Sequence, residues 1–249
     1  MLALLSAVAL SALSALSQAP RDFAFAEKTS ESTVRLVVAT RRLALNEPCL
    51  HETLGLSPEL IGGETRLQLN GAIAIFLGPR RVGGGKITDF QVTRDDEGSC
   101  VAIATARLDS KLPQLTLGDV LWASALPRTS ATRQPAARQV AERAIAALGT
   151  RLGDCSHGER VVRGVTGGAF VGLRCEKGSA LVLVPAKGVP QLSVVEEERF
   201  TLRDVLDPTA RRSHDLVLAR QRGGTARLEL WRVKGGRGER LCFGAASEE

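Results

Sequence analysis

One stretch of this chain, Gln134 to Gly149 (QPAARQVAERAIAALG), carries helical periodicity, and segments of strand character fill the sequence on both sides of it. Ala137, Val140, Ala141, Ala144, Ile145 and Leu148 recur at three- and four-residue spacing, so they share one face. Arg138, Gln139, Glu142 and Arg143 take the opposite face, and Arg138 with Glu142 forms an i,i+4 pair of opposite charge. Pro135 suits a first turn and Gly149 suits the residue after the last turn. The pattern predicts a mainly β (α+β) fold: two β-rich halves with one principal amphipathic helix at about 134–149. The expected organisation is a leader at 1–19, an N-terminal β-rich half at 20–127, a linker at 128–134 and a helix plus C-terminal β-rich half at 135–249. The alanine-rich apolar face allows the helix to sit close against a sheet, and the second half is its expected dock.

The expected strands of the first half are 32–40, 65–70, 72–77, 87–92, 100–108 and 119–124. Ala72–Leu77 is a short apolar run bounded by Gly71 and Gly78-Pro79, as a buried strand is. The polar stretch Arg94 to Ser99 reads as the turn of a hairpin. A turn of helix is expected within 47–55. After the helix, strands are expected at 160–164, 169–175, 180–185, 191–196, 200–205, 215–221, 226–233 and 240–243. Arg222-Gly223-Gly224-Thr225 joins two of them as a tight turn, where glycine admits positive φ.

Met1 to Ala19 is uncharged, rich in Leu, Ala, Val and Ser, and ends in small residues, as a cleavable secretory signal does. No Lys or Arg precedes its apolar run, so an uncleaved N-terminal anchor is the alternative. No later segment is apolar enough to span a bilayer. The reading is a secreted or periplasmic protein. In that oxidising setting Cys49, Cys100, Cys155 and Cys175 are candidate disulfide cysteines. The simplest grouping pairs Cys49 with Cys100 and Cys155 with Cys175, leaving Cys242 as a free thiol. Cys49-Leu50-His51 and Cys155-Ser156-His157 would offer metal ligands at strand spacing, but oxidation removes the thiolates.

The formal net charge is +6, and the leader contributes none of it. From Arg199 to Arg240 eleven Lys and Arg face five Asp and Glu. Such a segment attracts phosphates, anionic headgroups or acidic glycans. Arg220, Arg222, Arg227 and Arg232 are the candidate anionic-surface contacts, and the expected partner is an anionic envelope component or a partner protein. Tyrosine is absent and there are two tryptophans, too few aromatics for base stacking, so nucleic acid is not expected.

Catalytic motifs are poorly supplied. Gly83-Gly84-Gly85-Lys86 lacks the first glycine of a phosphate loop, and Ile87 stands where Ser or Thr would meet magnesium. No cofactor is expected. Gly55-Leu56-Ser57-Pro58-Glu59 lacks the last glycine of a nucleophile elbow. Arg203 to Gly236 resembles an FG-GAP/VCBS-type repeat. Asp204 and Asp207 match its acidic loop, Asp215-Leu216-Val217-Leu218 its strand and Trp231 its aromatic. The resemblance implies a β-hairpin of related shape. Calcium binding would need oxygen ligands where Arg211 and Arg212 stand. The leading functional expectation is an exported, non-catalytic binding or structural protein of the cell envelope or extracellular space. The alternative is a hydrolase of an envelope or extracellular polymer, built on His51, His157 or His214 with nearby carboxylates.

Overall fold

The computed structural model describes residues 22–39, 65–94, 100–116, 119–131, 133–155, 160–165, 168–207, 213–222 and 225–248. The first six strands, β1 (Phe23–Lys28), β2 (Thr33–Val38), β3 (Ala72–Leu77), β4 (Arg80–Arg94), β5 (Cys100–Leu108) and β6 (Leu121–Ser124), close an antiparallel barrel in the order β1-β2-β5-β4-β3-β6. Its interior alternates small with branched side chains: Ala24, Ala102, Ala104, Ala106 and Ala123 against Leu36, Ile75 and Ile87. Six strands enclose little space, and this alternation fills it without overpacking.

β7 (Ser130–Ala131) and β8 (Arg133–Gln134) occupy the segment expected as a linker, and each joins a different sheet. Then come α1 (Arg138–Leu148), β9 (Arg160–Val165), β10 (Gly168–Cys175), β11 (Gly178–Pro185), β12 (Gln191–Glu196) and β13 (Phe200–Leu206). β14 (His214–Arg222), β15 (Thr225–Lys234) and β16 (Arg237–Glu248) complete the chain. One five-stranded sheet runs β12-β11-β10-β9-β8 and the other runs β16-β15-β14-β13-β7. The two sheets face each other across Phe170, Leu181 and Val194 on one side and Leu202, Leu216, Leu218, Trp231 and Val233 on the other.

The outer face of the first sheet carries α1 and the turn after it, through Ala144, Leu148 and Leu152 against Val171, Leu173 and Val182. The outer face of the second carries the barrel, through Leu206, Val217 and Leu230 against Phe23, Phe25, Phe76 and Trp122. The result is four layers: helix, sheet, sheet and barrel. The β13–β15 sheet is therefore covered on both faces, which is why LVLA within β14 is apolar without alternation. Among the described residues no helix is long and apolar enough to cross a membrane.

The expected helix is present and shorter than its pattern. Gln134 is paired with Val161 in β8, Ala137 is extended (φ −64°, ψ 140°), and the helix starts at Arg138. Proline disfavours a helical residue before it, so Pro135 ends β8 rather than opening the helix. Gly149 closes it at φ 64°, its N–H donating to the Ile145 carbonyl. The alternation over 65–70 forms no strand. Thr65 and Leu67 are buried and Arg66 and Gln68 exposed, but Asn70 takes φ 61° and the Gly71 N–H returns to the Gln68 carbonyl. β1 was not among the expected strands because its two phenylalanines and two alanines cover opposite faces that are both buried or half-buried. The possible helical turn at 47–55 and the leader lie outside the described residues.

Cys155 and Cys175 form a disulfide across an isolated antiparallel bridge, tying the turn after α1 to the end of β10. The bond spans 20 residues. Replacing both cysteines with alanine is expected to cost about 3 kcal/mol by removing that constraint on the unfolded chain. Urea unfolding of the double variant beside the oxidised protein measures it.

Candidate functional site

Most of the titratable side chains in the core belong to two arginine–carboxylate clusters, one on each face of the β13–β15 sheet. On the barrel face, Arg232 Nε and Nη2 donate to Asp215 Oδ1 at 2.7 Å and Oδ2 at 3.0 Å, a fork-to-fork pair. Arg128, whose side chain is 8% exposed, donates from Nε to Asp207 Oδ2 at 2.9 Å and from Nη2 to Asp215 Oδ2 at 3.5 Å. Its Nη1 lies 3.7 Å from Asp22 Oδ1, just ahead of β1. Asp22 also accepts a hydrogen bond from Ser124 at the end of β6. Arg128 thus joins the barrel to the sheet.

On the sandwich face, Glu229 is almost fully buried, and both its carboxylate oxygens accept hydrogen bonds. Oε1 accepts from Arg220 Nε at 3.0 Å and Arg240 Nη1 at 3.2 Å, while Oε2 accepts from the Trp231 indole at 2.7 Å. Arg220 reaches across to Glu198 at 2.8 Å and Glu196 at 3.6 Å, beside the other sheet. Burial opposes the charge on Arg220, but the Glu198 hydrogen bond and the Glu229 and Glu196 carboxylates outweigh it and hold its pKa above the ordinary value. Arg232 follows the same logic: burial opposes its charge, and Asp215 then Glu239 overcome that.

Of the four arginines expected on an anionic surface, Arg220 and Arg232 are therefore spent on internal carboxylates. Arg227 Nε donates to the Gly244 carbonyl at 3.4 Å. Arg222 ends β14, and its side chain lies outside the described residues. The four form no common free cationic face. Exposed cations lacking a carboxylate partner among the described residues lie elsewhere, Arg66, Arg80, Arg81 and Lys177 among them. Lys86 and Arg107 stand directly opposite each other on the outside of the barrel. Lys234 and Arg237 face each other across the β15–β16 turn. Lys187 is exposed in the loop between β11 and β12.

Sequence reasoning passed over Arg128, Asp22 and Glu229, and read Asp207 only as part of a repeat-like acidic loop. Arg128 sat in a stretch read as linker. Glu229 had a signal: it shares a face with Trp231 and Val233 in β15, where a charge needs a buried partner. The stretch resembling an FG-GAP/VCBS-type repeat folds as the meander of β13, β14 and β15. Asp204 is buried there, and the Asp207 and Asp215 carboxylates are occupied by guanidinium groups. Among the described residues no group of three or more His, Cys, Asp and Glu is placed to hold a metal ion. Cys155 is committed to its disulfide. Cys49, His51 and His157, and the side chain of Cys100, lie outside the described residues. Cys242 is free and half-buried, and burial, then Asp215 and Glu229, push its thiol well above the ordinary range. The chain matches no family model, no curated protein and no solved structure.

His214, the described histidine of the hydrolase alternative, is buried between the sheets with its ring edge-on to Phe170 at 5.4 Å. Its Nδ1 has no hydrogen-bond partner. Burial lowers its pKa from the ordinary 6.5, and neighbouring Asp215 offsets this only in part. The unfolded chain therefore binds this proton more readily than the folded one, so the contribution of neutral His214 is intact above 6.5 and is lost as pH falls below it. H214Q removes that dependence. The melting-temperature gap between wild type and H214Q is expected to shift in favour of the variant from pH 7.5 to pH 5, at about pH steps of one unit.

Proposed function

We propose that this chain is an exported, non-catalytic binding protein of the cell envelope or extracellular space, and that its ligand is anionic. The observation that carries this reading is the sorting of its cations. Arg128, Arg220, Arg232 and Arg240 are closed on Asp and Glu at the layer junctions. Lys187, Lys234, Arg237, Lys86 and Arg107 face solvent without such partners among the described residues. Like charges set directly opposite on a sheet destabilise it, so an external anion that bridges them gains what the fold gives up. The uncharged leader and the Cys155–Cys175 disulfide support export to an oxidising compartment.

The experiment is capture of the oxidised protein, lacking residues 1–19, on total envelope fractions at low and high salt. The reading expects retention at low salt that falls steeply as screening rises. Salt-insensitive capture, or none, overturns it.

A further inference from the structure

We propose that the basic tip formed by the β11–β12 loop and the β15–β16 turn docks on a bilayer containing anionic phospholipid, with Val189 entering the headgroup layer. This rests on the anionic-ligand reading above and names the ligand and the face. Val189 is 80% exposed, far beyond the other exposed large apolar side chains among the described residues, Leu69, Leu126 and Val195 at 37–42%. It lies two residues from exposed Lys187 and is followed by Pro190.

The loop does not stand alone. Arg143 of α1 donates from Nη2 to the Gly188 carbonyl at 3.0 Å, which fixes the loop and keeps a cation of the helix layer beside it. The β15–β16 turn abuts the start of β12 so closely that a Cβ on Gly236 would lie 2.8 Å from Gln191 Oε1. Gly236 itself sits at φ +77°, and this backbone conformation keeps the position glycine. Lys187, Arg143, Lys234 and Arg237 therefore gather at one end of the sandwich around an exposed valine. Glu239, two residues past Arg237, lies opposite Arg232 in the ladder. The acidic run Glu196-Glu197-Glu198 is at the far end of β12.

Cations around an exposed apolar side chain are the combination that interfacial binding uses: attraction to phosphodiester charge brings the tip in, and apolar contact adds to it. Each Lys or Arg near an anionic leaflet strengthens partitioning about fivefold. Val189 adds a smaller, salt-independent increment.

Co-sedimentation of the oxidised chain with phosphatidylcholine vesicles, with and without phosphatidylglycerol, tests this at low and high salt. Wild type is expected to bind the phosphatidylglycerol vesicles at low salt and to leave pure phosphatidylcholine vesicles in solution. K187E/K234E/R237E is expected to lose about 100-fold or more of that partitioning with an unchanged melting temperature. V189S is expected to lose a few-fold and keep the same salt dependence, while R66E, an exposed cation beside the barrel, behaves as wild type. Loss of binding in K86E/R107E on the barrel instead of the tip variant overturns the tip while leaving an anionic ligand standing. Equal binding to both vesicle types, or none to either beside salt-sensitive capture on an acidic polysaccharide, overturns the bilayer as the ligand.

Discussion

Replacing Asp215 with alanine is expected to lower the stability of the whole chain by about 3–5 kcal/mol, the usual result of removing one partner from a buried ion pair. Asp215 takes both donors of Arg232 and one from Arg128, and its side chain is 9% exposed. Without it two guanidinium groups at the barrel–sheet seam lose their shared buried carboxylate, with Asp207, Asp22 and Glu239 still near them. For a chain of this size the melting temperature should fall by about 10 °C. The penalty comes from stranded charge more than from the pair itself. D215L/R232M, which removes both partners, is therefore expected to be closer to wild type than D215A. A double variant no better than D215A would show that the pair's attraction, and not the stranded arginine, dominates. Thermal unfolding of the three proteins side by side gives the answer.

Trp122→Ala is expected to have an effect of similar size from the apolar side of the same seam, about 3–5 kcal/mol. The Trp122 ring is fully buried, stacked on Phe76 with centroids 4.1 Å apart and near-parallel to Phe23 at 5.8 Å. Its indole N–H donates to the Gly78 carbonyl at 2.9 Å, pinning the β3–β4 turn. Alanine leaves a cavity between barrel and sheet and an unpaired carbonyl. W122F keeps the stacking and loses the hydrogen bond, so it should cost about 1–2 kcal/mol. Chemical denaturation of both variants separates packing from hydrogen bonding; equal losses would contradict this division.

Much of the architecture was legible where one face of an element meets water. Helix α1 declared itself because Arg138, Gln139 and Glu142 contrast with Ala141, Ala144 and Leu148. The β10–β11 hairpin did so because Glu176-Lys177 interrupts two apolar runs. Legibility failed where both faces are covered. β1 shows no polar alternation because Phe23 and Phe25 face the sheet while Ala24 and Ala26 face the barrel interior. The closure of six strands into a barrel depends on the β1–β6 pairing, which joins residues about a hundred positions apart and leaves no local trace. The site was misread for a related reason. Arg220 and Arg232 look like surface cations by composition, and only the register that sets Arg232 opposite Asp215 and Arg220 diagonal to Glu229 reveals them as partners of buried acids. The exposed tip drew no attention because Val189 and Lys187 are ordinary loop residues until Gly236 brings the neighbouring turn beside them.

Barrel and sandwich, joined by the Trp122 seam and the Arg128 clasp, are expected to unfold as one body and so to present the basic tip on a rigid frame. Differential scanning calorimetry of the oxidised chain tests it most directly. One transition is expected, with equal calorimetric and van't Hoff enthalpies, and D215A and W122A should move all of it together. Two separated transitions, with only the first shifted by either substitution, would contradict it.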